Sequence, residues 1–220
     1  GKHIPGNPTL LPQNMTGAGG AKMAAYLADV APRDGTNIGM IANNFPAMQA
    51  AGLDVIRFDL GKFIWIGSIS PTVETMTVWK SAGVAAIQEV QQKEVIAGAS
   101  GKGAITYSFP AMLNEFLGTK FKIVAGYPGG NEINLAMERG EVDGAGTSWA
   151  VIKAQHQDWL RDKKIDLIAQ IGAARDADFP NVPLLQELAP NEEAARIIRL
   201  FSAEIAMGRS YLTTPDTPVD

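Results

Sequence analysis

Four times along this chain a strand-forming run ends in a turn rich in glycine or hydroxyl side chains that leads straight into a helix-forming run. Thr9-Leu10-Leu11 precedes Asn14-Met15-Thr16-Gly17-Ala18-Gly19-Gly20, which opens into an alanine-rich helix over 21–28. Val95-Ile96-Ala97 precedes Ala99-Ser100-Gly101-Lys102-Gly103-Ala104 and a helix from Ala104 to Leu117. Phe121 to Val124 precedes Gly126-Tyr127-Pro128-Gly129-Gly130-Asn131 and a helix to Glu138, and Val142 to Gly146 precedes Thr147-Ser148-Trp149 and a helix reaching Leu160. Strand and helix alternating over short connections is the pattern of parallel βαβ units, which limits the chain to an α/β fold with helices against its sheets.

The remaining segments fit the same frame. Pro8 and Pro12 confine the first strand to an edge or to irregular pairing. Asp34-Gly35 turns the chain into a strand over 36–41, and Thr75 to Trp79 reads as another strand. Phe63 to Gly67 is almost continuously apolar, as expected of a strand buried on both faces. Ser68-Ile69-Ser70-Pro71 makes the turn between these two strands. Helices are expected over 83–90, 183–188 and 192–200, with a strand from Ile165 to Ile171. The tail from Ala203 to Thr213 has strand character and is expected to return to the first part of the fold.

At 220 residues, 46% of them hydrophobic and 19% charged, the chain has material for one large α/β unit or two modest lobes. Its net charge of −4, with the 19 Lys and Arg scattered, does not provide the basic stripe that a nucleic-acid partner requires. No apolar run approaches the roughly 18 residues of a membrane span. There is no Cys, and the two His, at 3 and 156, sit far apart. Cysteine nucleophiles, thiolate metal sites and multi-histidine centres are therefore not expected, and no cofactor is called for.

A helix N-terminus presents unpaired backbone N–H groups and the positive end of its dipole, so a turn that ends a strand and begins a helix is ready to hold an anion. In open α/β sheets ligands gather at the carboxyl ends of strands, where all four turns fall. The candidate site residues are therefore Thr16, Gly17, Ala18, Gly19 and Gly20, then Ser100, Gly101, Lys102, Gly103 and Ala104, with Tyr107 on the helix behind them. Tyr127, Pro128 and Gly129 follow, with Thr147, Ser148 and the turn hydroxyls Ser68 and Ser70. Each has a purely structural alternative: glycines serve tight turns, a loop lysine is often only solvated, and Trp149 suits a core as well as a ligand wall. The Lys-Ser/Thr of a phosphate loop is missing, which favours a carboxylate over a nucleotide. Ser100 and Ser148 have no neighbouring histidine, so nucleophilic catalysis lacks its base.

Asn14 to Gly20 followed by Ala31-Pro32-Arg33-Asp34-Gly35-Thr36 resembles the signature of tripartite tricarboxylate transporter solute receptors, the Bug-type receptors. Ala99 to Gly103, Tyr127-Pro128-Gly129 with Gly140-Glu141-Val142-Asp143, and Phe179-Pro180-Asn181-Val182-Pro183 resemble later blocks of the same family, in the same order. The resemblance implies a two-lobed type II periplasmic-binding-protein fold, each lobe a mainly parallel sheet flanked by helices. Lobe 1 would be discontinuous, residues 1–73 plus 205–220, and lobe 2 would be 74–204. It further implies a non-catalytic receptor that takes a di- or tricarboxylate or related organic acid in the interlobe cleft and delivers it to membrane permease subunits. The location would be periplasmic, with a signal peptide removed upstream of Gly1. A sensing domain or an α/β enzyme on the same frame are the alternatives.

Ala99, Ala104 and Tyr107 depart from the serines and histidine common in the family's second loop, and Lys102 is the residue available to compensate by pairing with a distal carboxylate. The resemblance also implies that the N- and C-terminal parts of the full receptor are lacking here, so that lobe 1 exposes apolar surface.

Overall fold

The computed structural model of the chain describes residues 1–69 and 73–218. It contains two sheets, each with its own core, and the first builds on helix α1 (Ala21–Asp29). Alanine favours the helix, and Ala21, Ala24 and Leu27 form its buried stripe. Strand β1 (Ile38–Met40) follows, then helix α2 (Phe45–Ala50) and strand β2 (Ile64–Ser68). β1 and β2 do not pair with each other. Both pair antiparallel with the last strand, β8 (Ser210–Thr213), so Thr213 stands opposite Ile38 on one side and Ile64 on the other. The tail of the chain thus completes the sheet that the N-terminal part begins. Phe45, Phe58 and Phe63 pack with Leu27 and Leu212 beneath it, with ring centroids 5.9 and 6.1 Å apart in tilted and edge-to-face contacts.

The second sheet contains β3 (Glu74–Trp79), β4 (Val95–Ala99), β5 (Phe121–Ala125), β6 (Gly144–Ser148) and β7 (Ile165–Ile171), in the order β5-β4-β6-β3-β7. One face carries Met76 and Val78 against Phe109 and Leu113 of α3 (Ile105–Leu117) and Ile198 of α7 (Glu192–Ala206). On the other face lie Ile133 and Met137 of α4 (Gly130–Glu138), Ile152 of α5 (Trp149–Gln155) and Trp159 of α6 (Gln157–Arg161). Trp159 is fully buried, edge-on to Trp79 at 5.0 Å and stacked on His156 at 3.9 Å.

The α/β architecture is as the sequence indicates, but where mainly parallel sheets were expected the first is wholly antiparallel and the second mixed. β4 runs parallel to β5 and β6, whereas β3 runs antiparallel to both β6 and β7. Five positions separate the end of β2 from the start of β3, too few for the helical crossover that a parallel connection needs. The consequence for the site is that the start of β3 lies at the carboxyl end of β6, with Glu74 paired to Ser148.

Several local expectations are corrected. Thr9-Leu10-Leu11 forms no strand; Leu11 is 77% exposed, and the flanking prolines bring no backbone N–H of their own to a ladder. β2 is largely solvent-exposed instead of buried on both faces, and with β1 it presents Ile38, Met40 and Ile66 to solvent at 52%, 44% and 58%. The expected helix over 83–90 is replaced by short 3-10 turns at Lys80–Ala82 and Ile87–Gln91. The long helix after Ser148 breaks at His156, whose φ of −127° and ψ of 44° are not helical. The segment 183–188 holds only a 3-10 turn, Leu185–Leu188. α7 runs on to Ala206, so the strand-like tail begins only at Ser210.

Candidate functional site

A cavity of about 350 Å³ opens where the carboxyl ends of the second sheet's strands face the start of α2 and the residue before β8. Two helices of useful length begin in its wall. Ala104 caps α3 in an extended conformation and spends its own N–H on the Gly101 carbonyl at 3.0 Å. The next two residues, Ile105 and Thr106, line the cavity with first-turn amides that have no acceptor within the helix. Gly129 caps α4 in extended conformation, and Gly130 and Asn131 bring a second set of first-turn amides to the same space. Two positive helix ends therefore point into one cavity.

Polar side chains fill in between. Asn44 is 3% exposed and donates through Nδ2 to the Gly103 carbonyl at 3.2 Å, while its Oδ1 is buried with no partner. Ser148, 6% exposed, has a buried hydroxyl that is likewise unpartnered. A buried polar atom left without a partner costs about 1–3 kcal/mol. Two of them lining one cavity indicate that something polar completes their bonding. Asn134 also lines the space and is held from behind by His156 Nε2 at 2.9 Å. Thr147, buried beside Ser148, presents its carbonyl to the Thr75 hydroxyl at 3.0 Å.

The charged members of the wall are Glu74 and Arg209. Glu74 is 4% exposed, and burial pushes its carboxyl up to about 7 against the weaker opposing pull of Arg209. Arg209 precedes β8 and is fixed by its backbone, whose carbonyl accepts from the Ile69 amide at 3.2 Å.

The structure gathers some of the sequence candidates and disperses others. Gly19, Ala104, Thr147 and Ser148 line the cavity. Gly101 and Gly103 do not, but they pack against Ala18 and Gly19, so the first two glycine turns meet each other. Gly20 caps α1, and Thr16 and Gly17 are exposed on the outer side of that turn. Ser100 is held within its own loop by the Thr106 hydroxyl. Lys102 is exposed, and Tyr107 is half-buried on α3. Tyr127 packs into the second sheet's core, Pro128 is exposed and Gly129 serves as the α4 cap. Ser68 is exposed at the end of β2, and Ser70 lies outside the described residues.

Sequence reasoning missed Glu74, Arg209, Asn44 and Asn134. Glu74 left one faint signal, as the only charge in an otherwise uncharged strand. Asn44 before Phe45-Pro46 reads as an ordinary helix cap, and nothing local singles out Arg209.

Chemically the cavity offers amides, hydroxyls and one guanidinium to an anion. Among the described residues no three His, Asp or Glu side chains come together as a metal site, and no helix is long and apolar enough to cross a membrane.

No protein-family profile and no curated protein sequence matches the chain. Solved structures do. R. palustris Rpa4515 with adipate aligns at a TM-score of 0.65 and 20% identity, covering 92% of this chain and 65% of that one. MatC from Rhodopseudomonas palustris with bound malate aligns at 0.65 and 20% identity, covering 88% and 71%. The periplasmic binding protein BugD aligns at 0.67 and 17% identity, covering 88% and 69%. The chain thus has the fold of two-lobed periplasmic solute-binding proteins, including those of the kind its sequence resembles, and spans about two thirds of their length.

Proposed function

We propose that this chain is the ligand-binding part of an extracytoplasmic receptor for a small organic acid, which hands its cargo to the permease subunits of a tripartite tricarboxylate-type transporter. The observation that carries the reading is the convergence of the α3 and α4 N-termini and Arg209 on one cavity that also holds the unpartnered Asn44 Oδ1 and Ser148 hydroxyl. The adipate and malate of two structures with this fold support the same ligand class. Under this reading residues 1–73 with 205–220 form one lobe and 74–204 the other, and the protein works in the periplasm without breaking a bond.

Magnitudes assign the roles. Two helix ends at about 0.3–1 kcal/mol each and one charge-assisted bond at about 1.5–3 kcal/mol supply roughly 2–5 kcal/mol. Micromolar affinity needs about 8 kcal/mol. The remainder falls to burial of the ligand's carbon skeleton against Ile105, Ile133 and Val151, which share the cavity wall. A ligand that touches both sides of the cavity stabilises the closed arrangement, and that arrangement is what a transporter distinguishes from the empty receptor.

A thermal-shift series with mono-, di- and tricarboxylates tests this. A saturable rise in Tm with acids of one class supports the receptor. A cooperatively folded chain that no acid stabilises contradicts it.

A further inference from the structure

An acid is out of place in a wall otherwise built to attract anions. Glu74 sits in that wall at the start of β3, paired to Ser148 and to Ile171, and its side chain is almost completely removed from solvent. Among the described residues no side-chain hydrogen bond satisfies its carboxyl, and Arg209 is the charge that acts on it. Among the described residues, the other elements packed around it set no further charge against it. β6 (Gly144–Ser148) has no titratable group, and Asp166 of β7 lies at the far end of the sheet opposite Val78, in contact with Lys80. The first turn of α3 carries no charged side chain and has Tyr107 as its one titratable group, Glu132 of α4 is exposed, Lys153 of α5 is paired with Asp178, and His156 stands behind Asn134.

We infer that Glu74 and Arg209 make the cavity selective for a small acid that carries one carboxylate and, at its other end, a hydrogen-bond donor such as an amide, hydroxyl or ammonium. The inference rests on the carboxylate-receptor reading and names the substrate class within it. Arg209 has only donors to offer and takes the carboxylate. Ionised Glu74 has only acceptors, so the ligand atom against it must bring a hydrogen. A second carboxylate placed there meets a like charge that buried surroundings do not screen, and enters only if one proton is taken up from solvent and shared by the pair. Because burial holds the Glu74 carboxyl at about 7, that proton is absent at mildly alkaline pH and present at mildly acidic pH.

The test is calorimetric titration of the chain with each dicarboxylate from malonate to adipate against its own mono-amide, at about pH 5.5 and about pH 8.5, with proton uptake read from buffers of different ionisation enthalpy. At the higher pH the mono-amide binds at least about tenfold tighter than its parent, and the parent takes up about one proton per molecule bound. At the lower pH the two converge. Glu74→Gln removes both the preference and the proton uptake. Dicarboxylate affinity that is independent of pH with no proton uptake overturns the inference, as does a preference that survives Glu74→Gln, or acid binding in which no mono-amide outcompetes its parent. If Glu74→Gln does not fold, the unsubstituted chain's pH series decides alone. A folded chain that binds neither acids nor amides overturns the receptor reading itself, and the inference with it.

Discussion

Gly19 and Gly103 meet backbone to backbone, so closely that a Cβ on Gly19 would stand 2.5 Å from the Gly103 carbonyl carbon. The turn before α1 and the turn before α3 are thereby locked together, and the Asn44 amide reinforces the contact from the start of α2.

Gly19→Ala is expected to separate these turns. At φ 65° the added Cβ carries a left-handed penalty of about 1–2 kcal/mol, and the collision with Gly103 adds to it. Gly118→Ala is the control, since its φ of 64° is nearly the same and nothing lies within 4 Å of its Cβ. Urea denaturation should show a larger loss for Gly19→Ala, and acid affinity should fall about tenfold in that variant alone.

Glu74 makes folding stability depend on pH in an unusual sense. Its folded pKa of about 7 lies above the ordinary 4.5, so the folded chain holds a proton that the unfolded chain has released. That contribution is complete below about 4.5 and is lost as pH rises to about 7, by up to about 3 kcal/mol. In the absence of ligand the stability of Glu74→Gln relative to the unsubstituted chain should therefore climb across that window and level off above it. A flat difference from acid to neutral pH in denaturant midpoints counts against burial of this carboxyl.

Ser148→Ala separates binding from stability. The hydroxyl is buried without a partner, so removing it should leave the ligand-free Tm unchanged or slightly raised. The same change should weaken acid binding by about fivefold or more, because the ligand is what completes that hydroxyl's bonding.

Arg209→Gln and Lys102→Ala discriminate between two cations. Arg209 lines the cavity, whereas Lys102 is exposed outside it. Titration should show a loss of more than about tenfold for Arg209→Gln and a change of less than about twofold for Lys102→Ala. A large loss at Lys102 would restore the role that the sequence suggested for it.

The contrast between those two cations shows what a sequence of this kind carries. Local chemistry was legible: alanines after Gly20 mark α1, and the alternation from Ile165 to Ile171 coincides with β7. So were the turns that cap α3 and α4, because a strand end followed by glycine and a helix is a contiguous pattern. The break at His156 was not legible, since it depends on the ring stacking against Trp159 and bonding Asn134 across the fold. β2 misled through its apolar run, since burial is decided by what packs against a strand and not by the strand itself. Glu74 and Arg209 escaped because 135 positions separate them and only the return of the chain through β8 brings both to one wall. A buried acid looks, in sequence, like a solvated one.

The central claim is that two helix N-termini and a guanidinium hold a carboxylate. It is tested most directly by isothermal titration of the chain with a panel of small organic acids, each beside its fully amidated, uncharged counterpart. Saturable, roughly one-to-one binding of at least one acid, with its uncharged counterpart more than about tenfold weaker, is the predicted result. A cooperatively folded chain that binds the neutral counterpart as tightly as the acid, or binds neither, would contradict the account.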